Sequence, residues 1–120
     1  MKIAITTTGN TLEAAIDPRF GRAANFLIFD TESKTFSTVD NVQNLNAAQG
    51  AGIQSAMTVI NTGAKVLISG HCGPKAFRVL NEAGIKIFNT DAKTVKEALA
   101  LYDEGKLNAA KDADVEGHWM

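Results

Sequence analysis

From residue 53 onward the chain alternates between two hydrophobic periods, and this alternation limits the available folds more than any other feature. Ile53, Ala56, Met57 and Ile60 recur at helical spacing, and Gly63 stands where such a helix would end. Residues 66–68 (VLI) then read as a short apolar strand. A second helix is expected from about Pro74, whose missing N–H is not needed at a first helical position, and Gly84 stops it. Residues 85–88 (IKIF) form another strand. A last helix carries Val95, Ala98, Leu99 and Tyr102 on one face, opened by Thr94 and Glu97 in capping-box spacing. Strands separated by helices imply right-handed crossovers and parallel pairing.

The first half has a different rhythm. Residues 2–6 (KIAIT) read as a buried strand. Residues 25–30 (NFLIFD) and 34–39 (KTFSTV) are strands joined by a polar link short enough for an antiparallel hairpin. Residues 7–21 lack a clean period and hold Gly9, Asn10, Pro18 and Gly21, so they are expected to form a long loop. Loops of that length inside compact domains are uncommon and often functional. The expected order is β-β-β-α-β-α-β-α, an α/β fold with a mixed five-stranded sheet flanked by helices. At 120 residues the chain suits one domain. We expect that domain over residues 1–106, with 41–49 as an internal loop and 107–120 as a mobile polar tail. His118 and Trp119 in the tail could bind metal weakly, but a frayed terminus explains them more simply.

Composition removes several function classes. Twelve basic residues against thirteen acidic ones give a net charge of −1, which argues against a broad nucleic-acid-binding face. No apolar run approaches the roughly 20 residues of a membrane span. The start is too short in apolar residues for a secretory signal. A single cysteine excludes an internal disulfide and suits a reducing, cytoplasmic setting.

Two segments carry the candidate chemistry. In ISGHCGPKAFR (68–78) a strand runs through Gly70, His71, Cys72 and Gly73 into Pro74 and a helix. This order aims backbone N–H groups and a positive helix end at one point, an arrangement suited to an anion, with Lys75 and Arg78 able to add charge. A second reading takes His71, Cys72 and Arg78 as the H-C-x5-R loop of a cysteine-dependent phosphatase, with Cys72 as the thiolate. Against it, Pro74 removes an amide from the cradle, Lys75 replaces a glycine and Val79 replaces a hydroxyl residue. A third reading makes the segment a tight turn with an inert cysteine.

The other segment, DPRFGR (17–22), sets Arg19 and Arg22 around a turn with Phe20 as an exposed aromatic between them, and Gly21 supplies backbone freedom. Arginine is weakly hydrated and always charged, so it suits large, soft anions. The plain alternative is that Arg19 or Arg22 pairs with Asp17 or Asp30 and only braces the hairpin. Both segments adjoin the carboxyl ends of the first strand and of 66–68. If those strands are parallel neighbours, the segments meet at the rim where open α/β sheets bind ligands. Gln49 and Gly50 at the start of the first helix, with the amides of Asn44 and Asn46, could close a third side.

DPRFGRAANFLIFD, AQGAGIQSA, ISGHCGPKAFRVL and NEAGIKIF together resemble, in order and spacing, the dinitrogenase iron–molybdenum cofactor biosynthesis family. The resemblance spans residue 1 to about residue 106, and the paired RFGR and GxxGPxAF segments are its more specific part. It implies a ribonuclease H-like fold and a non-enzymatic role in carrying or inserting anionic metal–sulfur clusters. The cargo implied is a molybdenum–copper sulfide, as in small stand-alone members from sulfate reducers, or a nitrogenase cofactor precursor. No nucleotide is implied, and the expected partners are the cluster and its donor or recipient proteins, not nucleic acid or membrane. On this reading Arg19, Phe20, Gly21, Arg22, Asn44, Gln49, Gly50, Gly70, Gly73 and Lys75 contact the cluster, with Phe20 covering its less hydrated face. His71 and Cys72 are candidate metal ligands, since thiolate and imidazole suit copper, although the His-Cys pair departs from the family pattern. The fold does not bring nuclease chemistry with it. The first strand ends in Thr6-Thr7-Thr8, with no carboxylate for a two-metal site. The alternative to a carrier is a metal-free module that docks on a metalloenzyme.

Overall fold

The computed structural model describes residues 1–41 and 50–110. Five strands, β1 (Lys2–Thr7), β2 (Asn25–Asp30), β3 (Thr35–Asp40), β4 (Val66–Ser69) and β5 (Lys86–Asn89), form one sheet in the order β3-β2-β1-β4-β5. The helices α1 (Ala51–Asn61), α2 (Pro74–Glu82) and α3 (Val95–Asp103) connect or follow the last strands. β1 pairs antiparallel with β2 and parallel with β4, β4 pairs parallel with β5, and β2 with β3 antiparallel. The mixed five-stranded α/β arrangement expected from the two hydrophobic rhythms is therefore the observed one.

The sheet is covered on both faces, which explains why β1 is buried from Ile3 to Thr7 without alternation. On one side Ala4, Phe26, Ile28, Leu67 and Ile87 pack with Ala56 and Val59 of α1 and Ala76 and Leu80 of α2. On the other, Ile3, Ile5, Leu27, Val66 and Ile68 pack with Val95 and Ala98 of α3. Each helix end has a local cause. Gly63 and Gly84 adopt left-handed φ of 82° and 81° just beyond α1 and α2. Pro74 occupies the first turn of α2. At α3 the Thr94 hydroxyl accepts a hydrogen bond from Glu97 N at 3.2 Å.

Residues 8–16 lack a regular period, yet backbone pairing ties them down. Thr8 N donates to Ala15 O (3.0 Å), while Val95 N and Lys96 N donate to Ala14 O (3.0 Å) and Leu12 O (2.8 Å). The segment thereby satisfies donors that every helix start leaves without an intrahelical partner. Residues 107–110, expected to begin a mobile tail, pack on the domain instead: Leu107 lies against the α3-side core, and Ala110 N donates to Ile87 O at 2.7 Å. Residues 111–120, including His118 and Trp119, lie outside the described residues. Among the described residues no helix is long and apolar enough to cross a membrane.

Candidate functional site

The parallel β1–β4 pair brings the two candidate segments to one rim. Arg19 and His71 form an isolated parallel bridge, and Phe20 N donates to His71 O at 3.1 Å. The contact is close enough to require glycine. A Cβ on Gly70 would stand 2.7 Å from Pro18 Cα and 2.8 Å from Pro18 O. The same loop also meets the start of α1, where a Cβ on Gly21 would lie 3.0 Å from both Cα and N of Gly52. Three segments thus converge: 17–22, 70–73, and the turn from Gly50 into α1.

Within the arginine turn, the Asp17 carboxylate accepts a hydrogen bond from Arg19 N at 3.1 Å, so a nearly buried acid (5% exposed) shapes the turn through the backbone. The Arg19 side chain is exposed and makes no ion pair among the described residues. Arg22 is half-buried. Lys75 and Arg78 are exposed on the first turns of α2. Both neighbouring helices begin at glycines without a side-chain cap: Gly50, with φ 77°, for α1 and Gly73 for α2. A glycine N-cap offers no side-chain oxygen to the first-turn amides, so neither cap position itself offsets the positive end of its helix dipole. Cations and amide donors therefore gather around one rim. Asn44 and Gln49, expected on the third side with Asn46, lie outside the described residues.

Two expected site residues are placed differently. Phe20, read from sequence as an exposed aromatic that would cover a ligand, is 1% exposed and packs on Phe26 with ring centroids 5.5 Å apart. Burial of a full aromatic surface outweighs its location between two arginines. Cys72 is also 1% exposed, within the core cluster that holds Phe20, Ala76 and Leu80. A phosphatase nucleophile must reach its substrate, and this thiol does not reach the surface. His71 is half-buried. Among the described residues no three His, Cys, Asp or Glu side chains gather into a metal site.

A cleft of about 800 Å³ adjoins the rim, sharing Pro18, Gly70 and His71 as a wall and continuing along Asn89, Thr90 and Asp91. Asn89 Oδ1 is buried there with no hydrogen-bond partner among the described residues. Arg19, Arg22 and Lys75 do not line this cleft. The cleft therefore adjoins the rim through Pro18, Gly70 and His71 while lying apart from those three cations.

Sequence reasoning overlooked the polar residues beneath the rim. Thr6, Ser69, Asn41 and Ser55 are fully buried and hydrogen-bonded to the loop backbone. The Thr6-Thr7-Thr8 run was a usable signal, because hydroxyls at the end of a buried strand need partners.

Comparison with known proteins agrees with this fold. The family model described as "Dinitrogenase iron-molybdenum cofactor" matches residues 1–105. An uncharacterised protein of Methanocaldococcus jannaschii is 32% identical over 109 residues, covering 89% of each chain. The apo form of the orange protein from Desulfovibrio gigas superposes with a TM-score of 0.92 at 37% identity, over 95% of this chain and 96% of the other. A Thermotoga protein of the DUF35 family gives a TM-score of 0.80 at 33% identity, over 90% and 91% of the two chains. With the match running through both rim segments and nearly the whole sheet, this chain belongs to the dinitrogenase iron–molybdenum cofactor family.

Proposed function

We propose that the protein is a non-enzymatic, cytoplasmic carrier of an anionic molybdenum-containing metal–sulfur cluster, with residues 1–106 as one ribonuclease H-like carrier domain. The observation that carries this reading is the direct joining of the arginine turn to the 70–73 turn through Phe20 N and His71 O. Arg19, Arg22 and Lys75 attract the charge of the cluster, while amides near Gly50, Gly21, Gly70 and Gly73 bond its terminal sulfur or oxygen atoms. A charge-assisted hydrogen bond contributes about 1.5–3 kcal/mol. A few of them reach the roughly 8 kcal/mol of micromolar binding without covalent attachment. Phe20 acts from beneath, holding the turn through its packing on Phe26. His71 is the more accessible of the two candidate copper ligands, since Cys72 lies within the core.

Anaerobic titration with tetrathiomolybdate and cuprous ion, followed by visible absorption and elemental analysis, tests the reading. The wild-type protein should gain a visible chromophore that survives desalting. The double variant Arg19→Ala/Arg22→Ala should lose it, and Cys72→Ser should weaken retention only modestly. A wild-type protein that stays colourless under every loading condition would favour the metal-free docking module instead.

A further inference from the structure

Beneath the arginine turn lie two polar clusters with no exposed surface, and each grips one end of the turn. At the first end, the Thr6 hydroxyl donates to Asp17 O at 2.7 Å and stands 3.2 Å from Ser69 Oγ. Ser69 Oγ in turn reaches His71 O at 3.4 Å, the same carbonyl that receives Phe20 N. A hydroxyl has a single hydrogen, so the short Thr6 bond to Asp17 O leaves Ser69 to donate toward Thr6 or His71. At the second end, Asn41 Nδ2 donates to Ala23 O at 2.9 Å and lies 3.1 Å from Ser55 Oγ. The single Ser55 hydroxyl hydrogen has Gly21 O at 3.2 Å and Asn41 Oδ1 at 3.3 Å within reach, and Asn41 N donates to Ala24 O at 2.9 Å. All four side chains are 0% exposed.

We infer that Thr6, Ser69, Asn41 and Ser55 are positioning residues for cargo, fixing the 17–24 loop so that the exposed Arg19 side chain and the Arg22 N–H are presented at the rim together. The inference rests on the carrier reading above. Carbonyls are what the clusters hold, and at every held peptide except Asp17–Pro18, which has no N–H, the trans geometry sets the N–H opposite the C=O. Holding Gly21 O against Ser55 therefore points the Arg22 N–H away from the core. Tying Asp17 O to Thr6 keeps the carboxylate turn that starts the arginine segment. None of the four side chains can touch cargo, because none reaches the surface. Buried polar groups are costly unless paired, and what these pairs add is a defined loop geometry.

The test compares Thr6→Val and Ser55→Ala with the conservative Thr6→Ser, each loaded with tetrathiomolybdate and cuprous ion well below its own Tm. Deleting one strut should weaken binding about tenfold, the equivalent of one hydrogen bond, and Thr6→Ser should restore it. Amide exchange at Phe20, read by NMR, should quicken in Thr6→Val and return toward wild type in Thr6→Ser. A folded Thr6→Val and Ser55→Ala that bind like wild type would overturn the inference, whatever their loss of Tm. If wild-type protein takes up no cluster, the carrier reading and this inference fall together; if wild type binds and the variants bind equally well, the inference falls alone. Should Thr6→Val not fold, Ser69→Ala takes its place in both measurements.

Discussion

Gly70 bears the tightest contact between the two rim segments. A methyl group there would stand 2.7 Å from Pro18 Cα, and the opposing atoms are backbone with no side chain to swing aside. Gly70→Ala should therefore destabilise the protein by about 1–3 kcal/mol, the usual cost of overpacking. It should also separate Phe20 N from His71 O. Urea unfolding together with cluster titration checks both effects, and a variant as stable as wild type would show that the segments can part at little cost. Phe20 teaches a related lesson. Its neighbours Arg19 and Arg22 gave it the look of a surface aromatic, yet it fills the core against Phe26. A residue's neighbours in the chain say little about which way an aromatic ring turns when a cavity of the right size lies beneath the loop. Thr6 is the converse case, a hydroxyl legible as an absent carboxylate but not as the clamp of Asp17 O.

Among the elements, the β2–β3 hairpin is held by Asp30. Its carboxylate accepts hydrogen bonds from Glu32 N at 2.9 Å and Ser33 N at 3.5 Å, and Lys34 adopts the positive φ of 62° that closes the turn. The Glu32 amide foremost, with the Ser33 amide and the charges of the N-terminus and Lys2, lowers the Asp30 pKa below its ordinary 3.8 despite some desolvation. A depressed acid stabilises the fold above the unfolded pKa and loses that contribution as pH falls through the folded value. Asp30→Asn keeps the turn's acceptor but removes the charge. It should unfold at lower urea than wild type at pH 7, and the two should converge as pH drops below 3.8. Curves that stay equally separated in acid would mean the charge is not the cause. The elements themselves were largely legible, because hydrophobic period, Pro74, the glycine stops and the Thr94 cap are local signals. Boundaries shifted by about one residue, as at β3, since a strand's ends depend on its partner.

At the scale of the whole molecule, the sheet order decides where charge collects. Placing β1 beside β4 brings the segments that carry Arg19, Arg22 and Lys75 to one rim of a chain whose net charge is only −1. Cluster binding should therefore weaken as salt rises from about 0.05 to 0.5 M, because exposed charges are screened over a Debye length near 10 Å at 0.1 M. Titrations at several ionic strengths measure this, and affinity independent of salt would shift the weight from the cations to direct metal ligation.

The sequence by itself determined the alternation of strands and helices, the caps that bound them, and the two segments rich in glycine and arginine. Those features follow from interactions within a few residues, so period and spacing record them directly. Only the tertiary structure decided that the segments join through Phe20 N and His71 O, that Phe20 and Cys72 turn inward, and that Thr6, Ser69, Asn41 and Ser55 hold the loop from below. Those partners lie 11 to 63 residues apart in the chain for Thr6 alone, and no local pattern encodes contacts made only when the sheet brings its strand ends together.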